Sequence, residues 1–88
     1  MKWIVYVLQC GDGSYYAGIT TDLDRRLKQH SQGKASKYTR SRLPVQCVYS
    51  ELQPNESSAK KREAVIKRLD RKMKTALVAK RGGTRAKS

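Results

Sequence analysis

Near its start the chain reads Trp3-Ile4-Val5-Tyr6-Val7-Leu8, six residues with no polar break that are aromatic or β-branched at every position but the last. An amphipathic helix would interrupt such a run with polar residues, so it reads as a strand covered on both faces. A doubly buried strand requires a layer on each side of it. Gly11-Asp12-Gly13 ends the run with a hairpin signal, and Tyr15 to Ile19 returns as a second strand, with Gly18 where backbone bends or passes closely. A three-residue Gly11-Asp12-Gly13 loop brings Tyr6 and Tyr16 to one face, whereas a two-residue Asp12-Gly13 turn puts them on opposite faces.

Thr21 followed by Asp24 resembles a capping box, and a helix is expected from about Asp22 to Gln32, closed by Gly33. Lys34 to Arg42 lacks apolar periodicity and is expected as a short helical turn or a surface loop, mobile without ligand. Val45 to Leu52 reads as a third strand, and Pro54-Asn55-Glu56-Ser57-Ser58 supplies the next turn and helix cap. Ala59, Ile66, Leu69 and Met73 then keep helical spacing, either in one long helix or in two with a break near Asp70, and Ala76, Leu77 and Val78 pack at the end. The order β-β-α-(α)-β-α-α describes an α+β domain over residues 1–80, a three-stranded antiparallel sheet flanked by helices. Residues 81–88 read as a disordered basic tail.

The 88 residues hold 20 Lys and Arg against 7 Asp and Glu, a formal charge of +13, which points to a polyanionic partner. The cations are spread along the chain instead of along one amphipathic face, which suits a nucleic-acid backbone better than a membrane surface. No apolar run approaches the ~18 residues of a membrane span, and no leader is recognised, so the expectation is a soluble cytoplasmic protein without a membrane role or inferred protein partner. Cys10 and Cys47 lie in apolar runs without a C-x-x-C pattern and read as buried free thiols.

Helix geometry separates the neighbours Arg25 and Arg26. At 100° per residue, Leu23, Leu27 and His30 share one side; Arg26 borders it, and Arg25 lies opposite. Arg26 and His30 are an i,i+4 pair able to meet one ligand. Tyr6 alternates with Ile4 and Leu8, and Tyr16 with Gly18, but alternation leaves open whether Tyr6, Tyr15 and Tyr16 are packing aromatics or ligands. Glu63 sits at the border of the apolar stripe among Lys60, Lys61, Arg62 and Lys67, either as an ordinary helix ion-pair partner or as a ligand for a hard cation.

In this order the residues resemble the GIY-YIG nuclease superfamily, in its small single-domain bacterial members of the URI type. Ile4-Val5-Tyr6 stands at the GIY position and Tyr16-Ala17-Gly18 at the YIG position, followed by Arg26, His30 and Glu63, over roughly Lys2 to Leu77. Ile4 replaces the motif's first glycine and Ala17 its isoleucine, both apolar substitutions. Ile19 stands where members often carry a lysine, so any part that lysine plays in activating water falls here to another group. The resemblance selects Tyr16 over Tyr15 and implies an endonuclease, active in DNA repair or processing, that hydrolyses phosphodiesters with one divalent metal ion, Mg²⁺ or Mn²⁺.

The resemblance implies a catalytic set of Tyr6, Tyr16, Arg26, His30 and Glu63. Glu63 would hold the metal, Arg26 would contact the scissile phosphate, and Tyr16 would bind phosphate or assist Tyr6. Tyr6 would position water or act as base and His30 would relay a proton, with these two roles exchangeable. Lys34, Lys37, Tyr38, Arg40 and Arg42 would track DNA, including branched, flapped or nicked forms, with Tyr38 stacking on an unpaired base. The competing reading is a basic nucleic-acid-binding module without turnover. Trp3, on the face opposite Tyr6, is expected in the core.

Overall fold

The computed structural model describes residues 2–86, and side chains as far as residue 79. Strands β1 (Trp3–Gln9) and β2 (Tyr15–Thr20) form a hairpin, followed by helices α1 (Leu23–Ser31) and α2 (Lys37–Arg40). Strand β3 (Gln46–Gln53) then precedes α3 (Glu56–Arg68) and α4 (Arg71–Ala86). The sheet is antiparallel in the order β2-β1-β3, which puts the most apolar strand in the centre. Val5, Tyr6, Val7 and Leu8 are all at most 1% exposed, each stabilising the fold by about 1.5–3 kcal/mol through burial.

Val7 pairs with Ala17 and Val5 with Ile19, so these four share a face. Against it packs the main core of Val48, Tyr49, Ala59 and Ile66, joined at its rim by Trp3, Tyr15, Leu77 and Val78. Helix α3 lies on β2 and β1, and α4 on β3. The opposite face carries Tyr6 and Tyr16, with His30 of α1 and Thr39 of α2 against it. The sheet thus separates an apolar layer from a polar one.

The hairpin uses the three-residue loop. Cys10 and Ser14 close it through a 2.8 Å backbone hydrogen bond, with Gly13 at φ 86°, a conformation that suits glycine. The register that follows places Tyr6 opposite Gly18 and Leu8 opposite Tyr16, bringing both tyrosines to one face. Helix α1 is capped by Asp22 instead of the Thr21 expected. Asp22 is extended (φ −140°), and its carboxylate accepts from the Arg25 N–H at 3.1 Å. The basic helical region breaks after Arg68, where Asp70 caps α4 by accepting from the Met73 N–H at 2.8 Å. That break resets the helical phase, so Met73, expected on the buried stripe, is 55% exposed, and Leu77 and Val78 reach the core. Helix α4 extends into the segment 81–88 read as a tail, and residues 87 and 88 lie outside the described residues.

Candidate active site

Tyr6 is positioned by its cross-strand neighbour. A Cβ on Gly18 would lie 2.5 Å from the Tyr6 hydroxyl oxygen and 2.6 Å from its ring carbon, so the phenol crosses β2 where no side chain stands. The hydroxyl reaches His30 Nε2 at 2.9 Å, and the Arg26 Nε–H donates to it at 3.4 Å. On the other side of the imidazole, His30 Nδ1 meets Thr39 Oγ1 at 2.9 Å, and the Thr39 hydroxyl donates to the Ser36 carbonyl at 3.3 Å. His30 and Thr39 are fully buried.

These partners assign the imidazole tautomer. Thr39 spends its proton on Ser36, so its oxygen accepts from Nδ1–H, and Nε2 carries the lone pair that accepts from Tyr6. Arg26, Tyr6, His30, Thr39 and the Ser36 carbonyl then form one chain in which each group donates to the next. Burial first, and the Arg26 charge second, hold the His30 pKa down to about 4, so the ring is neutral near pH 7. Burial raises the Tyr6 phenol above 10, opposed by the Arg26 hydrogen bond and charge and reinforced by Tyr16 and Glu63. Arg26 completes its contacts with Gln29 Oε1 at 3.2 Å. Among the described residues no carboxylate lies within salt-bridge range of Arg26.

Tyr16 sets its ring edge-on to His30, with centroids 5.4 Å apart, and stacks on Tyr38 at 5.7 Å. Glu63 on α3 is paired with Lys67 at 3.3 Å, half-buried, and felt electrostatically by the Tyr6 phenol. Four of the five residues singled out by the sequence are thus in mutual contact, with Glu63 in electrostatic range of the group. Beside them lies an open hollow of about 420 Å³ that meets the group at Arg26 and Gln29 and is walled by Trp3, Ile19, Asp22 and Arg25. Tyr6, Tyr16, His30 and Glu63 do not line it. Arg25, expected as a solvated charge, is exposed on its rim, and Trp3, expected in the core, packs half-buried against the core's edge and also walls the hollow.

Of the expected nucleic-acid contacts, Lys34, Lys37 and Arg40 are exposed. Arg42 is engaged within the fold: its Nε pairs with Asp12 at 3.1 Å, its Nη1 donates to the Tyr38 carbonyl, and its guanidinium lies 3.9 Å from the Tyr38 ring centre. Thr39 and Gln29 were not found from the sequence. The only available signal was Ser36, a cap residue that starts α2 and so turns Thr39 inward.

Among the described residues no three His, Cys, Asp or Glu side chains cluster as a metal cage. Glu63 alone suits a hard cation that keeps most of its waters and takes further oxygens from a phosphate. No helix among the described residues is long and apolar enough to cross a membrane.

An α+β scaffold that buries a tyrosine–histidine pair behind a half-buried arginine, with no carboxylate partner among the described residues, fits a GIY-YIG catalytic domain, a class associated with nucleases. The model of that family matches residues 2–76, and the chain belongs to it. It is 49% identical to a UPF0213 protein of Streptococcus sanguinis, over 91% of this chain and 92% of that one. The solution NMR structure of the UPF0213 protein BH0048 from Bacillus halodurans is similar at 46% identity and a TM-score of 0.62, covering 94% of this chain and 88% of that one. The NMR structure of protein EF2693 from E. faecalis is similar at 43% identity and a TM-score of 0.59, with 84% and 79% covered.

Proposed function

We propose that this chain is a metal-dependent endonuclease that hydrolyses DNA phosphodiesters, acting in DNA repair or processing in the cytoplasm, with residues 1–80 as its working unit. The observation that carries this reading is the polarised chain from Arg26 through Tyr6 to a neutral His30, beside a hollow that Arg26 enters with its charge free. Phosphodiester hydrolysis needs positive charge at the phosphate, a group to take the proton of the attacking water, and help for the leaving oxygen. Arg26 meets the first need by contacting a phosphate oxygen through its planar fork.

Tyr6 and His30 meet the second need together. As the water oxygen bonds to phosphorus, its proton passes to the Tyr6 oxygen and the Tyr6 proton passes to Nε2, while the leaving oxygen departs with the bonding pair and takes a proton from solvent. In the free protein this transfer is strongly uphill, since the phenol lies above 10 and the imidazole near 4. A phosphate beside Arg26 offsets the cation that depresses His30, and in the concerted relay Tyr6 gains one proton as it gives up another, so no free phenolate has to form. Glu63 would hold Mg²⁺ or Mn²⁺, which would supply positive charge at the phosphate and offset one of the groups that raises Tyr6. Tyr16, held against His30, binds phosphate or supports Tyr6. Lys34, Lys37 and Arg40 track the DNA backbone; Tyr38 and Arg42 join them on release from their present stack.

The test is cleavage and binding of duplex, single-stranded, nicked, flapped and branched DNA, with and without Mg²⁺ or Mn²⁺. Wild type is expected to cut, and Glu63→Ala to lose metal-dependent cutting while binding DNA as tightly or slightly more tightly. Binding by wild type without cutting, on every substrate and metal, would leave a nucleic-acid-binding module instead.

A further inference from the structure

A second hollow opens between the hairpin and α4. It holds about 200 Å³ and is lined by Ser14, Tyr15, Tyr38, Arg71 and Lys74: three hydroxyl groups, two cations and no carboxylate. We propose that it is a second phosphate-contact site, which holds a nucleic-acid strand at a fixed distance from the hydrolytic centre. The proposal rests on the nuclease reading for what it does, but not for what it binds.

Arg71 is held in place without being neutralised. Its Nη1 donates to the Gly13 carbonyl at 2.9 Å, and its guanidinium carbon lies 5.4 Å from the Tyr15 ring centre. Both partners are uncharged, so the full cationic charge faces the hollow. Lys74 forms no ion pair among the described residues. The nearby Arg42 differs, since Asp12 balances its charge. Tyr15 is fixed through its hydroxyl, 3.2 Å from Thr75 Oγ1, which ties the hairpin to α4 and sets the distance between the two cations and the sheet. Tyr15 is therefore a wall of this site as well as a packing aromatic.

The occupant follows from size and continuity. A volume near 200 Å³ is below the ~300–1,000 Å³ of sites that enclose a small molecule, so it suits one anionic group presented by a polymer. Tyr38 belongs to this hollow and stacks on Tyr16, which meets His30 edge-on. Two ring contacts thus join the hollow to the catalytic chain. Strand β2 carries Tyr15 of this hollow at one end and Thr20 of the Arg26 hollow at the other, ~17 Å apart along the strand, a span that a nucleic-acid strand bridges with one phosphate at Arg26 and another at Arg71 and Lys74.

The experiment is fluorescence anisotropy of labelled single-stranded oligonucleotides, without metal, over a series of salt concentrations. Each lost phosphate contact lowers the slope of log affinity against log salt by ~0.7 for a single strand. Lys74→Gln, whose ammonium holds nothing among the described residues, is expected to lower it by ~0.7, and Arg71→Gln/Lys74→Gln by ~1.4, with affinity at low salt weakened at least tenfold. The charge-matched Lys28→Gln/Lys60→Gln is expected to keep the wild-type slope. Equal slopes for wild type and both hollow variants would overturn the site. Polyglutamate or phosphatidylserine vesicles that depend on Arg71 and Lys74 when the oligonucleotide does not would overturn the choice of a nucleic-acid strand. Wild-type cleavage is read separately: cutting with unchanged slopes removes this site and spares the nuclease, whereas changed slopes without cutting do the reverse.

Discussion

Two of the molecule's tyrosine–arginine groups differ in what neutralises the arginine. In the first, on the α3 side of the sheet, Arg62 Nε meets both oxygens of Glu51 at 3.0 and 3.2 Å. Tyr49 and Gln53 also donate to that carboxylate, so every charge has its counter-charge within the group. In the second, Arg26 meets only neutral oxygens, those of Tyr6 and Gln29, and borders an open hollow. The first group closes on itself and joins α3 to β3. The second leaves a cation unsatisfied where a phosphate can enter. Arginine beside tyrosine is therefore not a sign of chemistry by itself; a missing carboxylate together with a phenol that is hydrogen-bonded to histidine distinguishes the site.

Substitutions should separate the two groups. Arg26→Ala is expected to lower single-turnover cleavage about 10²–10³-fold, the effect of removing one preorganised donor to a developing oxyanion, with little change in thermal unfolding. Glu51→Ala should do the opposite: a loss of about 2 kcal/mol by denaturant unfolding, since Arg62 is left half-buried without its partner, and normal cleavage per folded molecule. A Glu51→Ala protein that folds as well as wild type but fails to cut would break the distinction.

Thr39→Val removes the acceptor for His30 Nδ1–H at nearly constant volume. Cleavage is expected to fall about tenfold, as for one lost hydrogen bond, and ¹⁵N NMR of the imidazole should show the tautomers mixing. A Thr39 with only a packing role would leave the spectrum unchanged.

The sign of the His30 shift gives a stability prediction. The unfolded chain takes up a proton on this imidazole near pH 6.5, while the folded protein keeps it neutral until about pH 4. Its contribution is therefore full above pH 6.5 and is lost as pH falls to 4, on the order of 3 kcal/mol in all. His30→Gln should flatten that segment of the unfolding free energy against pH. Smallest of all, Met73→Ala should change stability by less than ~0.5 kcal/mol, because the side chain is mostly exposed.

The order of strands and helices along the chain, the doubly buried strand and the inward side of Arg26 relative to Arg25 were legible because each follows from a local period, two for strands and 3.6 for helices. The common face of Tyr6 and Tyr16 was not, because it turns on whether the hairpin loop holds two residues or three, and both fit Gly11-Asp12-Gly13. Met73 was misplaced because spacing continues across Asp70 in the sequence while the helix axis does not. Thr39 lies nine residues from the histidine it orients, beyond any period a helix provides. Arg42 and Lys37 are alike in composition, and only the fold brings Asp12 to one of them.

The central claim is that Tyr6 passes a proton to His30 during hydrolysis, and single-turnover cleavage by Tyr6→Phe at saturating metal tests it most directly. The account predicts a rate at least ~10²-fold below wild type, with DNA affinity retained. A Tyr6→Phe rate within threefold of wild type, to the order of magnitude that one hydrogen bond is worth, would contradict it.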